Sequence, residues 1–216
     1  CIDLDQGSPL YNALFYDHQI TQQNLRRKGV MVRVLDALRD EHRNFSRVLE
    51  ILTREIALFE KAEEPDYDLV EKIVDYLSSF PDVSHHPKED RLYQKLCARD
   101  QKTAELMGDL EVEHLKLAKL TSEFAATLKN VLLDSEQPRD DFIAAAKEFI
   151  NFFRSHIMLE ELRFFPAAMR ALSPADWKEI EADLRDAEDP IFGEDVVAPY
   201  GDLKEQIFAI ATESQI

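Results

Sequence analysis

The chain has little glycine, only five residues in 216. That argues against an architecture built on Gly-rich tight turns and in favour of helices. Cysteine is scarcer still. Cys1 and Cys97 are too few for a disulfide framework, and a reduced, cytoplasmic setting is the expectation that follows. No apolar run reaches the roughly 18 residues that a membrane-spanning helix needs. Positive charge is also short: 26 Lys and Arg stand against 43 Asp and Glu, for a net charge of -17. A nucleic-acid binder needs a basic face, and an anionic membrane surface attracts one. This chain has the opposite balance, so neither partner is expected.

What is present suits one soluble domain. Hydrophobic residues make up 45% and charged residues 32%, and the length allows a good core with added terminal segments. Residues 1–30 differ from the rest. Gly7-Ser8-Pro9 is a turn signal and Arg26-Arg27-Lys28-Gly29 a stop, so this stretch reads as an N-terminal extension, helical in part, with His18 exposed. From Met31 onward apolar residues recur at three- and four-residue spacing. Helix one is expected over Val32 to Glu60, with Val34, Leu35, Leu38, His42, Phe45, Leu49, Leu52 and Ile56 on one face. Helix two is expected over Tyr67 to Ala98, with Val70, Ile73, Val74, Leu77, His85, Glu89, Leu92 and Leu96 inside. Pro81 and Pro87 fall within it. Each removes a backbone hydrogen bond and crowds the carbonyl four residues back, so a kink or short irregular turn should precede Glu89. Helix three is expected over Thr103 to Leu133, with Leu106, Leu110, His114, Leu117, Phe124 and Leu128 inside. Helix four is expected over Asp140 to Leu172, with Ile143, Phe149, Phe152, Phe153, His156, Glu160 and Phe164 inside. Ser173-Pro174-Ala175-Asp176 caps a fifth helix running to about Ala187, Asp189 to Gly193 breaks the chain, and a short helix from Tyr200 to Ala211 closes it. The expected fold is all-α: an antiparallel up-down four-helix bundle over 31–172, with an N-terminal extension over 1–30 and a helical tail over 173–216.

Two stretches carry the chemistry. His156-Ile157-Met158-Leu159-Glu160-Glu161 echoes His85-His86-Pro87-Lys88-Glu89-Asp90: a histidine, three residues, a glutamate and a second acid. Positions i and i+4 share a helix face, roughly 6 Å apart along the axis, so each stretch aims an imidazole and a carboxylate at one point. A lone histidine precedes each, His42 before His85 by 43 residues and His114 before His156 by 42, as in a repeated helical hairpin. One histidine on an apolar face is usually a satisfied core residue. Four on four different helices, two of them with a glutamate one turn on, point instead to metal. Glu89 and Glu160 buried together without a cation would lose their hydration at high cost, and at acid pH those carboxylates would take up protons. With no thiolate set, an iron–sulfur cluster is excluded. A closed zinc site needs only four ligands. Imidazoles with bridging carboxylates suit iron or manganese with open positions, and six residues with two carboxylates bridging serve two ions, as bundle cores do elsewhere. The candidate ligands are His42, His85, Glu89, His114, His156 and Glu160. His86 and Asp90 repeat the spacing one residue on. That step rotates a helical position by about 100°, so His86 is expected beside the site, unless the kink at Pro81 and Pro87 brings it inward. Glu41, Glu113, Asp90 and Glu161 read as surface acids. Tyr93, Phe45, Phe152 and Phe164 read as core packing that also dries the site, and Cys97 as a small buried hydrophobe.

Those six positions, in order and on four helices, resemble the hemerythrin-like, HHE cation-binding domain over roughly Met31 to Met169. The stretch from Trp177 to Gly193 is similar to the segment that follows this domain in many bacterial members. The resemblance implies a non-haem centre of two iron ions, bridged by an oxo or hydroxo group and by Glu89 and Glu160. The oxygen-carrying members use five histidines, two of them on the third helix, where this chain has only His114. The resemblance therefore implies a more open centre that meets oxygen, peroxide or nitric oxide without carrying oxygen reversibly. The function expected is cytoplasmic binding or sensing of a small diatomic or peroxide ligand. The alternatives are a di-iron enzyme (peroxidase-like, ferroxidase or nitric oxide reductase) and an iron-handling or iron-centre repair protein. Family members of that last kind carry a cysteine-bearing N-terminal domain, which residues 1–30 are too short to be. The oligomeric state stays open, a homodimer being one option.

Overall fold

The computed structural model describes residues 33–133, 139–183, 189–193, 200–201 and 203–207. The expected extension over 1–30, the loop over 134–138, and the ends of the fifth and last helices lie outside these residues. Among the described residues the chain is helical with no strand. The helices are α1 (Arg33–Glu60), α2 (Tyr67–Phe80), α3 (His86–Arg99), α4 (Gln101–Met107), α5 (Leu110–Leu132), α6 (Arg139–Leu159), α7 (Phe165–Ala171) and α8 (Pro174–Asp183). Residues 203–207 are also helical.

α1 buries the stripe its spacing calls for, from Val34 through His42 to Ile56. α2 opens on Asp66, whose side chain accepts from the Leu69 amide at 3.0 Å, one of the orphan donors every helix start leaves. The apolar faces of α1, α2, α5 and α6 meet in one core cluster that contains Phe45, Tyr76, Phe80, Phe124, Phe142, Phe149 and Phe153. Ile191, Tyr200, Leu203 and Ile207 from the C-terminal residues belong to the same cluster. Within α6, Phe142, Phe149 and Phe153 are buried, while Ile143 and Phe152, expected inside, are only partly buried. Lys116 covers the outer face of the Phe152 ring, 4.3 Å from its centre.

Three interruptions shape the site. A five-residue π-helical turn, Pro81–His85, separates α2 from α3. The His86 amide bonds the Pro81 carbonyl, five residues back. Pro87 has no amide to donate and its ring would crowd the carbonyl four residues earlier, so the wider turn is the one that fits. This is the irregular turn expected from the two prolines. A second π-turn, Glu160–Phe164, splits the fourth helix, which was expected to run unbroken. It closes in the same way: the Phe165 amide bonds the Glu160 carbonyl, just before Pro166. The expected third helix is also divided. Gly108 takes φ +86°, the left-handed region that favours glycine, between α4, capped by Asp100, and α5, capped by Asp109. As a result Leu106, expected inside, is 70% exposed. α8 begins on the expected cap. The Ser173 amide donates to Asp176 Oδ2 at 2.9 Å, and the Asp176 amide returns a bond to Ser173 Oγ. Asp176 also accepts from Arg99 Nη2 at 2.7 Å, which ties α8 to the end of α3.

Candidate metal centre

The two π-turns lie at one level of the bundle, and buried polar residues gather there. His42 comes from α1, His85 from the first π-turn, His86 and Glu89 from the first turn of α3, His114 from α5, His156 from α6, and Glu160 from the start of the second π-turn. None of the seven is more than 8% exposed, and both glutamates are fully buried.

Their donor atoms fall into two groups that could each hold a metal ion: His42, His85, Glu89 and Glu160, and His86, Glu89, His114 and His156. Glu89 belongs to both. Its Oε1 lies 3.2 Å from His85 Nε2 and 3.5 Å from His42 Nε2, while its Oε2 lies 3.4 Å from His114 Nε2. Glu160 divides likewise. Its Oε2 is 3.3 Å from His42 Nε2, and its Oε1 is 3.2 Å from His156 Nε2 and 3.6 Å from His114 Nε2. The six expected ligands are thus brought together, and His86 joins them. Its expected position beside the site does not hold. The wider π-turn rotates less per residue than the 100° of an α-helical step, so the two consecutive histidines diverge less and both face inward. The His86 ring stacks on His114, centroids 4.1 Å apart.

The arrangement fits cations. Among the described residues, all four carboxylate oxygens of Glu89 and Glu160, and Nε2 of His86, His114 and His156, are buried without a hydrogen-bond partner. In a native interior such orphans are rare and costly. His42 Nε2 and His85 Nε2 face each other at 3.0 Å. Metal–imidazole bonds of about 2.1 Å set at right angles put donor atoms about 3.0 Å apart, so this spacing suits residues that could hold a metal ion.

An outer ring of carboxylates turns the imidazoles. His42 Nδ1 donates to Glu161 (2.9 Å), His85 Nδ1 to Glu41 (2.7 Å), His86 Nδ1 to Asp82 (2.9 Å) and His114 Nδ1 to Asp90 (3.0 Å). Fixing Nδ1 outward commits Nε2 to the interior. Glu41, Asp90 and Glu161, read as surface acids, therefore have a different role. Each neighbours a ligand in sequence, and that adjacency was the available signal. Asp82 had a similar one, four residues before His86. Aromatic rings dry the centre. Phe45 meets the His85 ring edge-on at 5.0 Å, and Phe165 stacks on His42 at 5.4 Å. Tyr93 sits further out against Phe164, its hydroxyl donating to the Gly108 carbonyl. Cys97 is half-buried.

Without cations the charges are balanced by protons on imidazoles. Burial pushes His42 down, but contacts with Glu160, Glu161 and Glu89 outweigh it and hold the ring well above its usual value. Burial opposes protonation of His114 too, and Asp90, Glu160 and Glu89 still raise it to about 11. Burial wins at His156, pushed down to about 4, and at His86. Burial raises Glu89, yet His85, His114 and His42 hold it well below the usual carboxylate range. Glu160 is also lowered: His156, His114 and His42 overcome burial and the Glu89 charge. His42 and His114 therefore take up protons before the carboxylates, whose own uptake moves to lower pH.

Beyond the centre, no helix among the described residues is long and apolar enough to cross a membrane. No curated protein and no solved structure matches the chain. One family model does, over residues 33–168, and its description is hemerythrin HHE cation binding domain.

Proposed function

The chain belongs to the hemerythrin HHE cation-binding family, and on that premise we propose that it holds two iron ions bridged by Glu89 and Glu160 and binds a small ligand there. The observation that carries this reading is the split of both carboxylates, one oxygen of each toward His42 and the other toward His114 or His156, with all four oxygens lacking a hydrogen-bond partner among the described residues. Buried carboxylates and imidazoles with no thiolate are a donor set for iron or manganese. The ligands proposed are His42, His85, Glu89, His114, His156 and Glu160, with His86 added. A pair of iron ions bound there supplies a redox-active centre that takes up a diatomic or peroxide ligand.

The residues divide the work. His42 and His85 with the two glutamates give one position four protein donors. His86, His114 and His156 with the same glutamates give the other five. The outside ligand binds where the protein supplies fewer donors, beside His42 and His85. Phe45 and Phe165, packed on those two rings, exclude water from that side and lower the local dielectric. His86 supplies a fifth imidazole from the second hairpin arm. The four-histidine count that argued against reversible oxygen binding is thereby filled, which favours binding or sensing over steady turnover.

The test is metal analysis with an optical spectrum. Protein from iron-replete cells should carry close to two iron ions per chain and absorb in the near ultraviolet, with bands that shift on adding azide. A single zinc ion per chain, or iron without an azide response, would overturn the proposal. Steady-state consumption of hydrogen peroxide or nitric oxide would move the reading to the enzyme class.

A further inference from the structure

The outer carboxylates of the two metal positions differ in what lies behind them. Around the His42/His85 position, each is paired with a buried cation. Glu161 accepts from His42 and also from Arg39 Nε at 3.3 Å. Glu41 accepts from His85 with one oxygen and from Lys88 Nζ with the other, at 2.5 Å. The Arg39 and Lys88 side chains are only 8% and 3% exposed. Around the other position, Asp82 and Asp90 take the Nδ1 protons of His86 and His114, and they are 53% and 33% exposed. Among the described residues neither is paired with a lysine or arginine. Among the described residues His156 Nδ1 has no hydrogen-bond partner.

We propose that Arg39 and Lys88 are positioning residues that make the two ion positions electronically unequal, so that the ion beside His42 and His85 is the one kept reduced. A carboxylate behind an imidazole makes the ring a stronger donor, which favours the higher charge on the metal. A buried cation on that carboxylate cancels much of the gain. It also adds a positive potential, which reaches further in a dry interior than in water, and a positive potential favours the lower metal charge. Behind His86 and His114, Asp82 and Asp90 are partly open to solvent, and among the described residues no lysine or arginine offsets their charge. With two ferrous ions bound, the residues His86, His114 and His156 would hold the ion that gives up the first electron to an outside oxidant. The electron that remains sits at the position with fewer protein donors, where a ligand binding ferrous iron needs it. Packing alone does not account for a lysine here. A buried ammonium costs hydration that an apolar side chain of similar length would not.

The inference rests on the two-ion reading, and the experiment separates the two. The full chain is loaded anaerobically with ferrous iron, its iron is counted, and it is titrated with ferricyanide and dithionite while the paramagnetic resonance of the one-electron-oxidised pair is followed. Unmutated protein should show two separated one-electron steps. Lys88→Met should lower the midpoint of the second step, changing the reduced-to-oxidised ratio at fixed potential by about tenfold, which is about 59 mV for one electron. The double variant Glu41→Gln/Lys88→Met keeps the pair neutral and should return toward the unmutated value, which a lost packing contact would not do. Asp90→Asn, at a partly exposed site, should raise the midpoint of the first step and narrow the gap even if Lys88→Met fails to fold. Unmoved midpoints in variants that still hold two irons overturn the inference. Fewer than two irons in unmutated protein overturns the reading beneath it.

Discussion

Four of the five buried imidazoles turn Nδ1 outward onto an acid, leaving Nε2 for the interior. At this scale the consequences are separable by mutation. His86→Ala removes a donor from the three-histidine group, so bound iron should fall from two ions toward one and the charge-transfer bands should change, as for His85→Ala. A His86→Ala variant that keeps two ions and an unaltered spectrum would return His86 to the role its α-helical register suggests. Asp90→Asn keeps every ligand and loosens only the orientation of His114. Second-partner losses of this kind typically weaken metal affinity 10–100-fold, and equilibrium competition with a chelator measures it. The histidines and glutamates of the centre were legible in the sequence because i, i+4 spacing and a repeated hairpin survive as plain text. His86 was not, because its direction depends on a backbone turn whose rotation differs from 100° per residue. The contacts of Glu41, Asp90 and Glu161 with the imidazoles were missed for another reason. An acid next to a ligand looks the same in sequence whether it faces water or an imidazole.

At the scale of elements, the helices themselves were legible from apolar periodicity and the interruptions only in part. Pro81 and Pro87 announced the first π-turn, since a proline within a helical pattern must be accommodated somehow. Pro166 carried the same information for the second turn, in weaker form because one proline stands there and not two. Gly108 followed by Asp109 was the overlooked stop-and-cap between α4 and α5. The first turn has a testable trade-off. Pro87→Ala restores an amide and removes the clash, and a proline inside a helix costs about 3 kcal/mol. The metal-free variant should therefore gain stability, at most by about that amount, as the segment relaxes toward α-helix. The same relaxation rotates His86 away, so iron affinity should fall. Chemical denaturation of metal-free protein and iron binding should thus move in opposite directions, and a parallel change in both would show that the turn is not set by the proline. At α8, Ser173→Ala removes the hydroxyl that receives the Asp176 amide. Losing a cap costs about 1 kcal/mol, which for a chain of this size is a fall of about 2–4 °C in Tm, without change in iron content.

For the whole molecule, the centre couples folding, metal and protons, and the sign of that coupling changes with loading. In metal-free protein, His42 and His114 have folded-state values raised above the ordinary histidine value, His114 to about 11. A raised histidine contributes its full stability below about 6.5 and loses it as pH climbs through the folded value. Glu89 and Glu160 are lowered, so their contribution is present above the ordinary carboxylate range and lost as pH falls through the folded values. His86 and His156 are lowered and subtract only below about 6.5, where the unfolded chain would charge them. Between pH 7 and 9 the carboxylates and the two lowered histidines are therefore silent, and the raised His42, His85 and His114 give metal-free protein a stability that declines with pH. Loaded protein should do the opposite. Metal binds deprotonated imidazole, so affinity rises as pH rises, and ligand-linked stabilisation grows with it, by roughly 4 kcal/mol at a thousandfold excess over Kd. Melting temperatures measured anaerobically at pH 7, 8 and 9, with and without excess ferrous iron, should diverge: the metal-free curve falls while the loaded curve holds or rises. Parallel curves would mean that the buried histidines are not the groups the metal displaces protons from, and the assignment of His42 and His114 as ligands would fail with them.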